Sequence, residues 1–194
     1  MAKKTVDFKW QGGCLNEPLS SAVRRPGAIA PVTSFPPLAR PEAKIMVLGS
    51  MPGVASLTAQ QYYAHPRNHF WSIMADIAGF DAHASYTERV DALTRAGFAV
   101  WDVLQSCVRP GSLDSAIQAG TRIPNDFAAF FADHPGIRRV CFNGTEAQNS
   151  FTRHVRPGLS VKGVDYVRLP STSPAHAVAF AKKLAAWRTA LVEP

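Results

Sequence analysis

The stretch QQYYAHPRNHFW, residues 60–71, sets Tyr62, Tyr63, Phe70 and Trp71 around an unbroken cluster of His65, Pro66, Arg67, Asn68 and His69. Aromatic rings beside basic residues suit stacking on a nucleobase, worth about 1–3 kcal/mol per base. Phe70 and Trp71 serve a core equally well, whereas Tyr62 and Tyr63 precede the helix, where core packing has less claim on them. Asn68 is a good helix N-cap. A second cluster, LPSTSPAHA at 169–177, offers Ser171, Thr172, Ser173, Pro174 and His176. Its hydroxyls can bond phosphate oxygens or cap a helix, and its prolines stiffen the loop. Ser173 and His176 resemble half of a nucleophilic triad, but there is no GxSxG elbow and no carboxylate evidently placed to orient the imidazole. A third segment, GSMPGVASL at 49–57, carries Gly49, Ser50, Met51 and Gly53. Its glycines let backbone amides approach an anion or a carbonyl, although a plain tight turn accounts for them too. Neither GxGxxG nor GxxxxGK[ST] occurs, which removes the support for dinucleotide and P-loop readings.

Charge narrows the partner. Twenty-one Lys and Arg against 14 Asp and Glu give a net charge of +7, and the pI is near 9.7. Such an excess favours an anionic partner, most simply nucleic acid, through counterion release. Cys14, Cys107 and Cys141 are scattered, with no CxxC pair, so no zinc or iron–sulfur ligand set is visible and no metal or cofactor is expected. An odd cysteine count and a charged N-terminus, MAKKTVDFKW, point to a cytoplasmic setting. No apolar run reaches the length of a membrane span.

The elements that must position these residues alternate. Residues 1–42 hold six prolines, the basic pair Arg24-Arg25 and little periodicity, and read as an irregular basic arm. From residue 43 to 194 the pattern is that of one domain. KIMVLG, FAVWDVL, RRVCFNG and VDYVRLP read as strands. Between and after them lie helical patterns. NHFWSIMADIAGF has Asn68 as N-cap and Gly79 as its stop, and YTERVDALTRAG starts near Thr87. NDFAAFFADH, TEAQNSFTRHV and AVAFAKKLAAWRTALV follow. FAVWDVL is followed by what reads as a polar turn, QSCVRPGSLDS. Strands separated by helices imply an α/β fold, a parallel sheet with helices on both faces. Ligands of such sheets bind beyond the carboxyl ends of the strands. GSMPGVASL, DVLQSC, NGT and PSTSPAHA lie there and should line one site.

With those residues in hand, the sequence resembles the uracil-DNA glycosylase superfamily, and within it the hypoxanthine-DNA (deoxyinosine) glycosylase branch. SFPPLARPEAKIMVLGSMPG, YYAHPRNHFW, FNG and LPSTSPAHA carry the resemblance, in that order, across residues 34–177. It implies a three-layer α/β/α fold on a central four-stranded parallel sheet. It also implies a monofunctional, metal-free glycosylase of base excision repair, acting as a monomer on duplex or single-stranded DNA. Such an enzyme flips a deaminated base out of the helix and hydrolyses its N-glycosidic bond, passing through an oxocarbenium-like sugar. The resemblance places Gly49, Ser50 and Met51 in the first motif. Met51 stands where many relatives carry a water-positioning Asn or Asp, and Asn68 is then the catalytic substitute. Tyr63 falls on the base-stacking position, Asp102 near a base-recognition position, and Asn143 in the loop after the third strand. Ser171, Thr172, Ser173, Pro174 and His176 fall in the loop that presses on the DNA backbone. Hypoxanthine and uracil remain alternative substrates, because both present a carbonyl beside an N–H. A fold that binds DNA without catalysis is a further alternative.

Overall fold

The computed structural model describes residues 29–192, so Arg24, Arg25 and Cys14 lie outside the described residues. In chain order the elements are β1 (Val32–Thr33), β2 (Ile45–Gly49), α1 (Val54–Ala59), α2 (Phe70–Ala78), α3 (Tyr86–Arg95), β3 (Phe98–Asp102) and β4 (Leu104–Cys107). They continue with β5 (Ile123–Pro124), α4 (Phe127–Asp133), β6 (Arg139–Asn143), α5 (Thr145–His154), β7 (Asp165–Leu169) and α6 (Phe180–Val192).

The main sheet has the order β3-β2-β6-β7, and all its pairings are parallel. Strands β2, β3 and β6 are short, largely apolar runs buried on both sides, which is why they read as continuous, whereas the edge strand β7 keeps Asp165 and Arg168 exposed. One side chain in two points to each face. Leu48, Trp101 and Phe142 share a row, and on that face Trp101 packs on Phe127 and Phe130 of α4 while Phe142 packs on Phe151 of α5. On the opposite face α2 packs with α3 and α6. The result is the expected three-layer α/β/α arrangement around a four-stranded parallel sheet.

Several local expectations need correction. The second strand does not run through Leu104: the pairing ends at Asp102, and Val103 and Leu104 donate their amides to the Gly49 and Ser50 carbonyls. The chain then enters β4, the centre of a separate antiparallel sheet of order β1-β4-β5, so QSC belongs to a strand and not to a turn. The segment before residue 43 is not irregular throughout its described part. Val32 pairs with Cys107, and Leu38 forms a bridge with Val100. Helix α1 was not expected at all. It lacks a capping side chain of its own, and the Val54 amide is taken by Ser112 Oγ at 2.8 Å, from a loop 58 residues away. Helix α2 begins one residue later than expected, with His69 at the N-cap position, yet Asn68 Oδ1 still accepts the Phe70 amide at 2.9 Å. Gly79 closes that helix in the left-handed conformation. Helix α3 starts at Tyr86 with a Ser85–Glu88 capping box, one residue earlier than Thr87.

Candidate active site

The floor of the site is one register row. Gly49 pairs with Asp102, and β2 lies between β3 and β6, whose last residue is Asn143. Strand alternation turns Asp102 and Asn143 to the α2/α6 face, and the glycine between them leaves a hollow. A Cβ at Gly49 would overlap Asp102 Oδ1 and lie 3.2 Å from the Tyr63 hydroxyl. The cavity above this row has a volume of about 160 Å³, of the order of the roughly 150 Å³ that accommodates a benzene-sized ring.

Asp102 is buried, and its Oδ2 has no hydrogen-bond partner. Burial, reinforced by the nearby Asp114 charge and opposed by Arg109, pushes its carboxyl up to about 8. At neutral pH it is therefore mainly a neutral acid, able to donate one hydrogen bond and accept another. Asn143 is committed to the neighbouring loop: its Oδ1 accepts the Thr172 amide at 2.8 Å and its Nδ2 donates to Thr172 Oγ1 at 2.9 Å.

The wall after β2 is held by charge. Arg109, with its side chain fully buried, donates to the carbonyls of Pro52 and Gly111 and lies 3.5 Å from Asp114 Oδ1. Ser50 Oγ donates to the same Asp114 oxygen at 2.7 Å. Met51, buried and without an acceptor, lines the cavity beside Ser50, Gly53, Ser56, Ser112 and Asp114.

The opposite wall is the 60–71 segment. Tyr62, expected outside the core, is buried; it donates its hydroxyl toward the Phe35 and Pro36 carbonyls and accepts the Trp71 indole N–H on its own carbonyl. Tyr63 lies in the left-handed region at φ 55° and stacks on Phe70, with centroids 3.9 Å apart. Rather than standing exposed it is half-buried at the cavity, and its hydroxyl has no well-formed hydrogen bond. Burial and the Asp102 charge raise the phenol pKa, the Asn143 amide acting in the opposite sense. Asn68 lines the cavity together with His65. The His65 Nδ1 accepts the Arg67 amide at 3.1 Å, which leaves its proton on Nε2.

The fourth loop is gripped from three sides. Thr172 is fully buried; besides the Asn143 clamp, its carbonyl accepts the His69 amide at 3.1 Å. From α6, Trp187 Nε1 donates to the Pro170 carbonyl at 2.9 Å and Lys183 Nζ donates to the Ser173 carbonyl at 3.2 Å. Lys183 is itself buried, and that burial lowers its pKa. Ser171, Thr172, Ser173 and Pro174 line the cavity. His176 does not; it is exposed and borders an adjoining groove with Arg168, Thr145 and Ser171.

The sequence profile described as the Uracil DNA glycosylase superfamily matches residues 36–193. The chain belongs to that superfamily. Among its relatives is a hypoxanthine DNA glycosylase of Methanosarcina barkeri, 31% identical over 157 residues, covering 80% of this chain and 95% of the relative. A second, from Methanosarcina acetivorans, is 33% identical over 143 residues, covering 73% and 86%. A solution structure of a Methanosarcina acetivorans protein, named after the uracil DNA glycosylases, superposes with a TM-score of 0.68 at 29% identity, covering 82% of this chain and 98% of that one. The protein is a DNA glycosylase, an enzyme of base excision repair.

Of the residues singled out in this glycosylase, Gly49, Ser50, Met51, Tyr63, Asn68, Asp102, Asn143 and Ser171 to Pro174 converge on the one cavity. Sequence reasoning missed Asp114, Ser112, His65, Arg109 and Lys183. His65 stood in view inside the quoted cluster. Arg109, Ser112 and Asp114 sit in a segment that reads only as a polar turn, and Lys183 in a closing helical pattern that does not set it apart from its neighbour Lys182. Among the described residues there is no group of three potential metal ligands, and no helix is long and apolar enough to cross a membrane.

Proposed function

We propose that this glycosylase removes hypoxanthine from deoxyinosine in duplex DNA, acting as a monomer in the cytoplasm, with Asn68 orienting the attacking water. The observation that carries the substrate reading is Asp102, a carboxyl kept neutral at the floor of the cavity. A departing hypoxanthine collects negative charge on its carbonyl oxygen, where a neutral acid can donate, and its ring N–H finds the carboxyl's other oxygen as acceptor. Adenine lacks that oxygen. The names of the two curated relatives support the same choice.

The other residues then take the following parts. Extruding the nucleotide costs a few kcal/mol, least at a mispaired base, and Tyr63 recovers part of that by stacking on the base. The loop of Ser171, Thr172, Ser173 and Pro174, with His176 on its rim, meets the DNA backbone. Asn68 is held at one oxygen by the Phe70 amide, which leaves a lone pair and the amide N–H groups to fix a water against C1′ of the sugar.

Uracil presents the same carbonyl and N–H pair, and the name of the solved relative favours it. Duplexes carrying a single deoxyinosine or a single deoxyuridine separate the two readings. Cleavage of the first, after alkaline treatment of the abasic product, is expected; cleavage of deoxyuridine alone overturns the substrate. Asn68→Ala should lose most turnover and keep DNA binding, and an unchanged single-turnover rate removes Asn68 from the mechanism.

A further inference from the structure

We propose that Asp114 is a second catalytic carboxylate of this site, the group that accepts the proton of the attacking water and faces the positive charge developing on the sugar. The inference rests on the glycosylase site described above and on the water-orienting role given to Asn68.

The reasoning starts from what the cavity wall lacks. A water made into a nucleophile needs an acceptor for its proton. Met51, in the first loop, has none. The amide of Asn68 can hold a water but is not basic. His65 spends its Nδ1 lone pair on the Arg67 amide, so its other ring nitrogen bears a proton. The hydroxyls of Tyr62 and Tyr63 are phenols raised further by burial. Only two carboxylates line the cavity among the described residues, Asp102 and Asp114.

Those two are built differently. Asp102 sits at the end of a buried strand, its Oδ2 without a partner, and is held as the neutral acid. Asp114 lies in the loop between β4 and β5 with its side chain 41% exposed, receives the Ser50 hydroxyl at 2.7 Å, and has the Arg109 guanidinium at 3.5 Å. Burial, the largest influence, raises its pKa above the usual carboxylate range and Glu146 adds to that, while the Ser50 hydroxyl, Arg109 and Arg122 act in the opposite sense. What separates the two is access and pairing: Asp102 is sealed with an unpartnered oxygen, whereas Asp114 is open to the cavity and paired with a hydroxyl and a cation, the setting suited to a base. Two carboxyl groups in one pocket with separated tendencies divide the work, one as donor to the leaving base and one as acceptor.

The step balances within these groups. The water oxygen bonds to C1′ as the C1′–N bond breaks, and the bonding pair leaves on the base. The water's proton passes to Asp114, and the base's carbonyl oxygen takes its hydrogen bond from Asp102. On release, the proton held by Asp114 is returned to solvent or to the base anion.

The test compares Asp114→Asn with Asp114→Ala in the full-length enzyme. Single-turnover cleavage of the deoxyinosine duplex is followed from pH 5 to 9, and affinity is measured on a non-cleavable 2′-fluoro duplex. Asn keeps an oxygen to accept from Ser50 but cannot take a proton. Asp114→Asn is expected to lose about 10²-fold in rate with affinity little changed. The wild-type rate should fall toward acid pH, and that limb should vanish in the variant. A variant rate within about threefold of wild type, with only Asp114→Ala impaired, reduces Asp114 to an anchor for Ser50 and overturns the proposal. Should either variant unfold, the wild-type profile decides: a rate that shows no fall toward acid pH sinks the idea. If the wild type cleaves deoxyuridine instead, the same comparison is run on that duplex, so the substrate reading and this one fail separately. Asn68→Ala with full activity removes Asn68 and leaves the Asp114 result standing.

Discussion

The two loops that close the cavity from the strand ends are held by different means. The 170–174 loop is fixed by neutral hydrogen bonds to its backbone, from Asn143, His69 and Trp187, with Lys183 as the single cation. In the 50–56 loop the charged Arg109–Asp114 pair, with the Ser50 hydroxyl on Asp114, stands beside neutral contacts from Ser112 Oγ and the Leu104 and Gln61 amides. On the proposed roles, the difference separates two tasks. A loop that meets a DNA backbone gains from a fixed shape, and here the carbonyls of Pro170, Thr172 and Ser173 are already spent. A wall that must take part in proton chemistry gains from groups whose charge responds to what sits beside them.

The contrast can be broken at its hinge. Gly49 lies where the two halves meet, and Gly49→Ala places a methyl against Asp102 Oδ1 and near the Tyr63 hydroxyl. Single-turnover cleavage should fall by about 10²-fold or more while the fold, read by circular dichroism, is retained. Next in size is Arg109→Met, which strands two backbone carbonyls and the Asp114 charge. Denaturant melts should show a loss of about 3–5 kcal/mol. On the neutral side, Asn143→Ala leaves the buried Thr172 amide without its acceptor, and the same melts should show about 1–3 kcal/mol. Trp187→Phe deletes a single donor to the Pro170 carbonyl and should cost about 1 kcal/mol. If Arg109→Met proved milder than Trp187→Phe, the division into a charged and a neutral wall would collapse.

A pH series sharpens the same comparison. Asp102 is raised to about 8 in the folded enzyme, far above the carboxylate's ordinary value near 4. A raised acid binds its proton more tightly folded than unfolded, so its contribution to stability is full below pH 4 and is lost as pH rises toward 8. Asp102→Asn should therefore flatten the decline of melting temperature between pH 5 and 8, measured by thermal scans. In cleavage assays the wild-type rate should fall as pH rises through 8, because the donor to the leaving base is then lost. Asp102→Asn, which keeps a donor, should lack that alkaline limb.

How much of this was legible in the sequence follows from how far each signal reaches. Strands β2 and β6 were visible as apolar runs ending at Gly or polar residues, β7 as a short segment with Tyr166, Val167 and Leu169 closed by Pro170, and α2 through the spacing of Phe70, Ile73, Met74 and Ile77. These are local patterns, set by burial on one or two faces. Helix α1 left no such mark, because its cap comes from Ser112 in another loop. The break after Asp102 was hidden as well, since Val103 and Leu104 continue the apolar run and only the competing carbonyls of Gly49 and Ser50 end it. Tyr62 and Tyr63 are neighbours of identical type. One went into the core and one to the cavity because of the positive φ at Tyr63 and the carbonyls waiting for Tyr62.

By itself the sequence determined the α/β class, the order of the four main-sheet strands with the larger helices between them, and the basic character. Each of these depends on composition and short-range periodicity, which survive without knowledge of the fold. Only the tertiary structure decided which polar groups are spent and which are left over. Asn143 is committed to Thr172, and Lys183 is buried beneath a loop. Asp102 is stripped of water and made a neutral acid, and Asp114 is brought from a distant loop to the same cavity. Those outcomes depend on burial and on partners many residues away. Desolvation and pairing set the charge of a carboxyl, and neither is written in the residue's own neighbourhood along the chain.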